Sequence, residues 1–127
     1  MVCLTALHPQ TAFESRRWRR GLLRWTFSPY GICIRRHALT GARPVNYVSD
    51  EAIKTENASA LPFLQRQRSG GFDWTQEAEW RARGDVDLRE FRNEDMFACV
   101  FTQGEADIIA ARFSLQTRVL TDTQALA

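Results

Sequence analysis

The apolar residues of this 127-residue chain fall into short clusters separated by glycine, proline and polar runs. That spacing constrains the fold more than any other feature. Residues 1–7 read as a short buried strand that begins at the very first residue. Residues 30–35, after Pro29, read as another strand. Residues 36–39 read as one helical turn closed by Gly41, and 44–48 as a further short strand. Residues 49–60 are polar and weakly patterned, which predicts a loop or a weak helix. Residues 61–64 form an apolar anchor, and 69–71 a glycine turn. Residues 75–82 read as a strand closed by Gly84 and Asp85. Residues 96–102 are the most apolar segment and read as the central strand, broken by Gly104.

Two stretches carry a helical period instead. Pro9 suits a first helical turn, and residues 11 to 25 place Phe13, Trp18, Leu22 and Trp25 on one side. Residues 105–115 space Ala106, Ile109, Ala110 and Phe113 helically, with Glu105 and Asp107 in the first turn. Strands and helices do not alternate strictly, which argues against a doubly wound parallel sheet. The expectation is an α+β fold, with a mixed or antiparallel sheet and an early and a late helix. It forms a single domain over residues 1–120, with 121–127 as a frayed tail.

Charge narrows the partner classes without choosing one. The net charge is +2 and the charged fraction 25%, too balanced to imply nucleic acid or membrane by itself. The basic residues are nevertheless almost all arginine, Lys54 being the single lysine. Guanidinium groups read phosphate and carboxylate as planar forks. Arg16, Arg17, Arg19, Arg20 and Arg24 crowd the early helix. Such a face is either simply solvated or docks an acidic protein partner or nucleic acid.

Cys3, Cys33 and Cys99 have no zinc-ligand spacing and sit among apolar residues. They read as reduced core thiols, which fits a cytoplasmic location; no metal is expected. No window reaches the ~18 apolar residues of a membrane span, and the N-terminus lacks a signal-peptide pattern, so no membrane partner is expected. Phosphate-loop, Rossmann and nucleophile-elbow patterns are absent.

Residues 74–81 concentrate the candidate chemistry, with two tryptophans, two acids and an arginine. On a strand, Glu77 and Glu79 would share one face and Trp80 would turn into the core. Adjacent carboxylates need a cationic partner or a catalytic use. Arg81 shares that face two residues on, so an ion-paired strand face, a catalytic pair and a binding site all remain open.

Three islands also carry a family resemblance. They are Val2-Cys3-Leu4-Thr5, then Pro29-Tyr30-Gly31-Ile32 with Arg43-Pro44-Val45-Asn46-Tyr47, and then Trp74 with Glu77-Ala78-Glu79-Trp80-Arg81. Their order resembles bacterial abortive-infection AbiGi-type proteins and their uncharacterised relatives, distant members of the ADP-ribosyltransferase-like fold. The resemblance covers roughly residues 2 to 83. It implies a phage-defence, toxin–antitoxin-associated protein with part of a split sheet around an NAD cleft, and a partner from the same defence system. Thr5 would lie on the supporting strand. Glu79 would stabilise the oxocarbenium-like transition state, and Glu77 would orient the acceptor. Tyr30, Arg35 and Arg81 would contact the cofactor. Leu4 replaces a phenylalanine of the pattern, and Cys33 replaces its second glycine. The pattern's upstream Arg or His has no counterpart before Val2, so an N-terminally truncated domain is expected. The residues alone require no cofactor and leave turnover open.

Overall fold

The structure is a computed structural model that describes residues 1–67 and 73–122. Its elements are β1 (Val2–Thr5), α1 (Pro9–Glu14), β2 (Trp18–Arg19), β3 (Arg24–Trp25), β4 (Gly31–Ile34), β5 (Ala42–Pro44) and β6 (Asn46–Val48). They continue with α2 (Asp50–Thr55), β7 (Leu64–Arg66), β8 (Glu79–Ala82), β9 (Met96–Val100), α3 (Gln103–Phe113) and β10 (Thr117–Val119). The fold is α+β, with mixed and antiparallel sheets and an early and a late helix, as the strand spacing implied. The elements sort into two compact units.

The first unit comprises Met1–Leu7 and Thr40–Asp87. Its three-stranded sheet runs β1-β8-β5 and is antiparallel throughout. The register sets Cys3 against Arg81 and Thr5 against Glu79, while Arg43 meets Arg81 from β5. Cross-strand partners share a face, so these five side chains form one side of the sheet. Strands β6 and β7 pair in parallel. The stretch read as one strand at 44–48 is split, because buried Val45 turns its N–H to the Glu79 carbonyl, 2.9 Å away, and separates β5 from β6. Helix α2 falls in the polar stretch 49–60. The Ser49 hydroxyl accepts the Ala52 N–H, and Asp50 and Glu51 fill the first turn.

The second unit comprises His8–Leu39 and the described residues from Leu88 onward. Strand β9 is central, as expected from its apolar run. It pairs with β4 antiparallel and with β10 in parallel. Phe13 of α1 packs with Cys99 and Leu120, and Cys33 and Phe97 close the cluster. Helix α3 starts at a reciprocal cap: Thr102 accepts the Glu105 N–H, and the Glu105 carboxylate accepts the Thr102 N–H.

Two further expectations need correction. The early helix stops at Glu14 rather than reaching residue 25. Ser15 closes it by donating its hydroxyl to the Ala12 carbonyl. Continuing it would stack Arg16, Arg19 and Arg20 at like-charge helical spacings, and Gly21 would weaken it further. The chain instead makes the β2–β3 hairpin, in which Trp18 faces Trp25. The strand read at 75–82 is only β8; Trp74–Glu77 is a 3-10 turn, and Ala78 at φ 43° kinks the chain between them. Glu77 and Glu79 therefore do not share a strand face. Trp80 is half-buried rather than fully enclosed. Of the tail read at 121–127, Thr121 and Asp122 bond to Gln10 and Arg16. Residues 123–127 and the glycine turn at 69–71 lie outside the described residues.

Candidate functional site

Arg81 organises the first unit's polar face. It is only 8% exposed, so each of its five N–H groups needs an acceptor. Nε donates to Glu79 Oε1 at 2.7 Å, and Nη2 donates to Glu79 Oε2 at 3.1 Å and to Gln65 Oε1 at 2.8 Å. Nη1 donates to the carbonyls of Pro62 and Leu64, both at 3.0 Å. The period-two spacing on β8 brings Glu79 and Arg81 to the same face and permits this two-pronged pair. Its hydrogen bond to Glu79 holds the Arg81 guanidinium above its ordinary pKa.

Thr5 and Tyr47 brace the same corner. The Thr5 hydroxyl donates to the Glu77 carbonyl at 2.5 Å and accepts the Leu7 N–H at 3.2 Å. Tyr47 Oη accepts the Glu79 N–H at 3.3 Å. Burial raises the Tyr47 phenol, and the Glu79 and Glu77 charges add to the rise. Burial and the adjacent Glu79 carboxylate likewise push the Cys3 thiol up. Thr5, Glu79 and Arg81 thus meet in one place, with the main-chain carbonyl of Glu77. Tyr47, Gln65 and Cys3 join them, and only long-range pairing reveals these three.

Tyr30 and Arg35 belong to the second unit. Tyr30 donates to Glu105 Oε1 at 2.9 Å, raising the phenol and lowering the carboxylate. Arg35 donates to the Glu94 carbonyl at 3.2 Å and lies 3.9 Å from Asp95.

The chemistry of the Glu79 corner follows from these bonds. Both Glu79 oxygens and every Arg81 donor are already engaged. A cation bonded to Glu79 offsets the negative field that a developing sugar cation needs. The arrangement ties β8 to the segment at 62–65. Among the described residues, no group of three or more His, Cys, Asp or Glu side chains is placed to hold a metal ion. Among them also, no helix is long and apolar enough to cross a membrane.

The second unit carries a different kind of site at the β2–β3 hairpin. Trp18 and Trp25 meet edge to face, with centroids 5.7 Å apart and planes at 70°. Each remains 50% exposed. Arg16 braces Trp25. Its guanidinium bonds Asp122 at 2.8 Å and the Phe13 carbonyl at 2.9 Å, and lies 4.1 Å over the Phe13 ring and 5.4 Å over that of Trp25. Arg19 and Arg24 form the neighbouring cross-strand pair and so point to the opposite face. At the tip, Leu22 is 52% and Leu23 76% exposed. Among the described residues, no carboxylate pairs with Arg17, Arg20 or Arg24. A sequence signal for this site existed beyond the arginine cluster: no acid occurs between Glu14 and Asp50, while eight arginines do.

The chain matches no protein-family model, no curated protein and no solved structure.

Proposed function

We propose that this chain is a binding module that docks an anionic macromolecular partner through the arginine–tryptophan hairpin, residues 16–26. One observation carries the reading: half-exposed indoles and three arginines, Arg17, Arg20 and Arg24, with no carboxylate partner among the described residues, share one small, braced element. Aromatic anchors beside arginines are the side chains that dominate binding energy at interfaces. A cytoplasmic location goes with this reading, since all three cysteines are free thiols. The test is retention on immobilised heparin, used as a generic polyanion, across a salt gradient. Replacing Arg17, Arg20 and Arg24 together with glutamine should bring elution to clearly lower salt at an unchanged fold. Unchanged elution would remove the hairpin from the reading.

A second reading is supported by one placement. Thr5 stands directly across from Glu79 on neighbouring strands, which suits the supporting-strand and acid roles implied by the resemblance to abortive-infection ADP-ribosyltransferase-like proteins. In that reading the chain is a phage-defence protein with an NAD cleft at this corner. Millimolar NAD should then raise the melting temperature, because a ligand that binds only the folded state stabilises it, and Glu79→Gln should abolish the rise. A melt indifferent to NAD leaves Glu79 as part of a structural clamp.

A further inference from the structure

We infer that the hairpin's partner is a protein segment that presents carboxylates together with large apolar side chains; this rests on the anionic-partner reading above. Three observations lead from anion to acidic protein. The first is the hairpin tip. Leu23 sits at φ 51°, ψ 40°, the left-handed region that glycine or asparagine enters at little cost and a bulky side chain does not. It is also the most exposed large apolar side chain among the described residues, 76% open. The hairpin turn itself would be better served by glycine, so the leucine side chain has its use outside the chain. Leu22 beside it doubles the apolar tip.

The second is the division of the hairpin into faces. Trp18 and Trp25 lie together on one side, and Arg19 and Arg24 on the other. A phosphate polymer would satisfy the arginines and could stack on an indole, but it leaves two leucines in water. A cleft lined by apolar residues and rimmed by Asp and Glu takes both: leucines and indoles inside, guanidinium forks at the rim.

The third is rigidity. The indoles hold each other edge to face, and Arg16, fixed by Asp122, closes over Trp25. A pre-arranged ledge loses little side-chain freedom on docking and suits a shaped protein surface. A fluid lipid surface asks for no such arrangement.

The experiment is selection of short random peptides displayed on phage against the immobilised full chain, followed by fluorescence anisotropy of the enriched peptide. Enriched sequences should combine Asp or Glu with Leu, Phe or Trp, and their binding should weaken with salt. Leu23→Gly should cost about tenfold in affinity, the worth of one buried leucine. It removes the side chain while relieving the left-handed strain, so the hairpin stays folded. Leu22→Ser, at a right-handed turn position, is the second variant and should weaken binding in the same direction. No enrichment, enrichment lacking either acids or apolar residues, or full affinity in both variants would overturn the inference. So would tighter binding to oligothymidylate or to phosphatidylserine vesicles than to the selected peptide. Arginine-dependent heparin retention alongside any of these results would sink only the inference. Loss of that retention's dependence on Arg17, Arg20 and Arg24 would sink the underlying reading.

Discussion

Replacing Arg81 with methionine should be among the most damaging single changes in the first unit. Methionine keeps much of the stem but none of the five N–H donors. Three acceptors, the Pro62 and Leu64 carbonyls and the Gln65 side chain, lose their partner. More costly, the Glu79 carboxylate keeps its charge in a site that is largely closed to water. Removing one member of a buried ion pair costs about 3–5 kcal/mol, most of it the penalty of the charge left behind. For a chain of this length that corresponds to a melting temperature roughly 10–20 °C lower, if the chain unfolds as one cooperative unit. The decisive assay is a double-mutant cycle with Glu79→Leu, followed by urea or thermal melts. The double variant Glu79→Leu/Arg81→Met should be clearly more stable than Arg81→Met alone, because it leaves no uncompensated charge. Near-wild-type stability of Arg81→Met, or costs that simply add, would refute the clamp.

The remaining predictions concern other parts of the chain. Thr5→Val should cost about 0.5–1.5 kcal/mol, since it removes the donor to Glu77 and the acceptor for Leu7 while keeping the side-chain shape; a urea melt checks it. Thr102→Ala should cost about 1 kcal/mol by opening the α3 cap, and circular dichroism melts would register the drop. Leu23→Gly should leave stability level or raise it slightly, because it exchanges a left-handed leucine for the residue suited to that conformation; a loss above about 2 kcal/mol would show that the tip leucine holds the fold. Stability should also fall above pH 9. Burial, with Cys99 beside it, pushes the Cys33 thiol from 9.0 to about 12. Its contribution is therefore complete below 9 and is lost as pH rises toward 12, because only the unfolded chain ionises Cys33 in that window. Urea midpoints measured across this window should fall less steeply for Cys33→Ala.

The fold class could be read because the apolar clusters at residues 1–7, 30–35 and 96–102 are each strand-length and bounded by breakers. The extent of the early helix could not. The apolar spacing of Phe13, Trp18, Leu22 and Trp25 fits a helix, and the hairpin wins through a cross-strand indole contact and through relief of arginine repulsion, neither of which is a local property. The same limit applies at Ala78. Alternation over 75–82 gives no hint that a non-glycine residue would turn left-handed there and take Glu77 off the strand. The Glu79–Arg81 pair was legible because its partners are two residues apart. Gln65, Tyr47 and the carbonyls at 62 and 64 were not, since they reach Arg81 and Glu79 only through strand pairing.

Arg81 reads its surroundings partly through main-chain carbonyls, and this has a consequence for how the chain tolerates change. A carbonyl is the same whatever side chain it belongs to. The identities of residues 62 and 64 can drift among apolar types that keep the local path without loosening the grip. The same freedom is denied to Glu79 and Gln65, which meet the guanidinium with their own side-chain atoms. Random mutagenesis under selection for folding should leave a patchwork along this strip, with variation at 62 and 64 beside fixed residues at 65, 79 and 81.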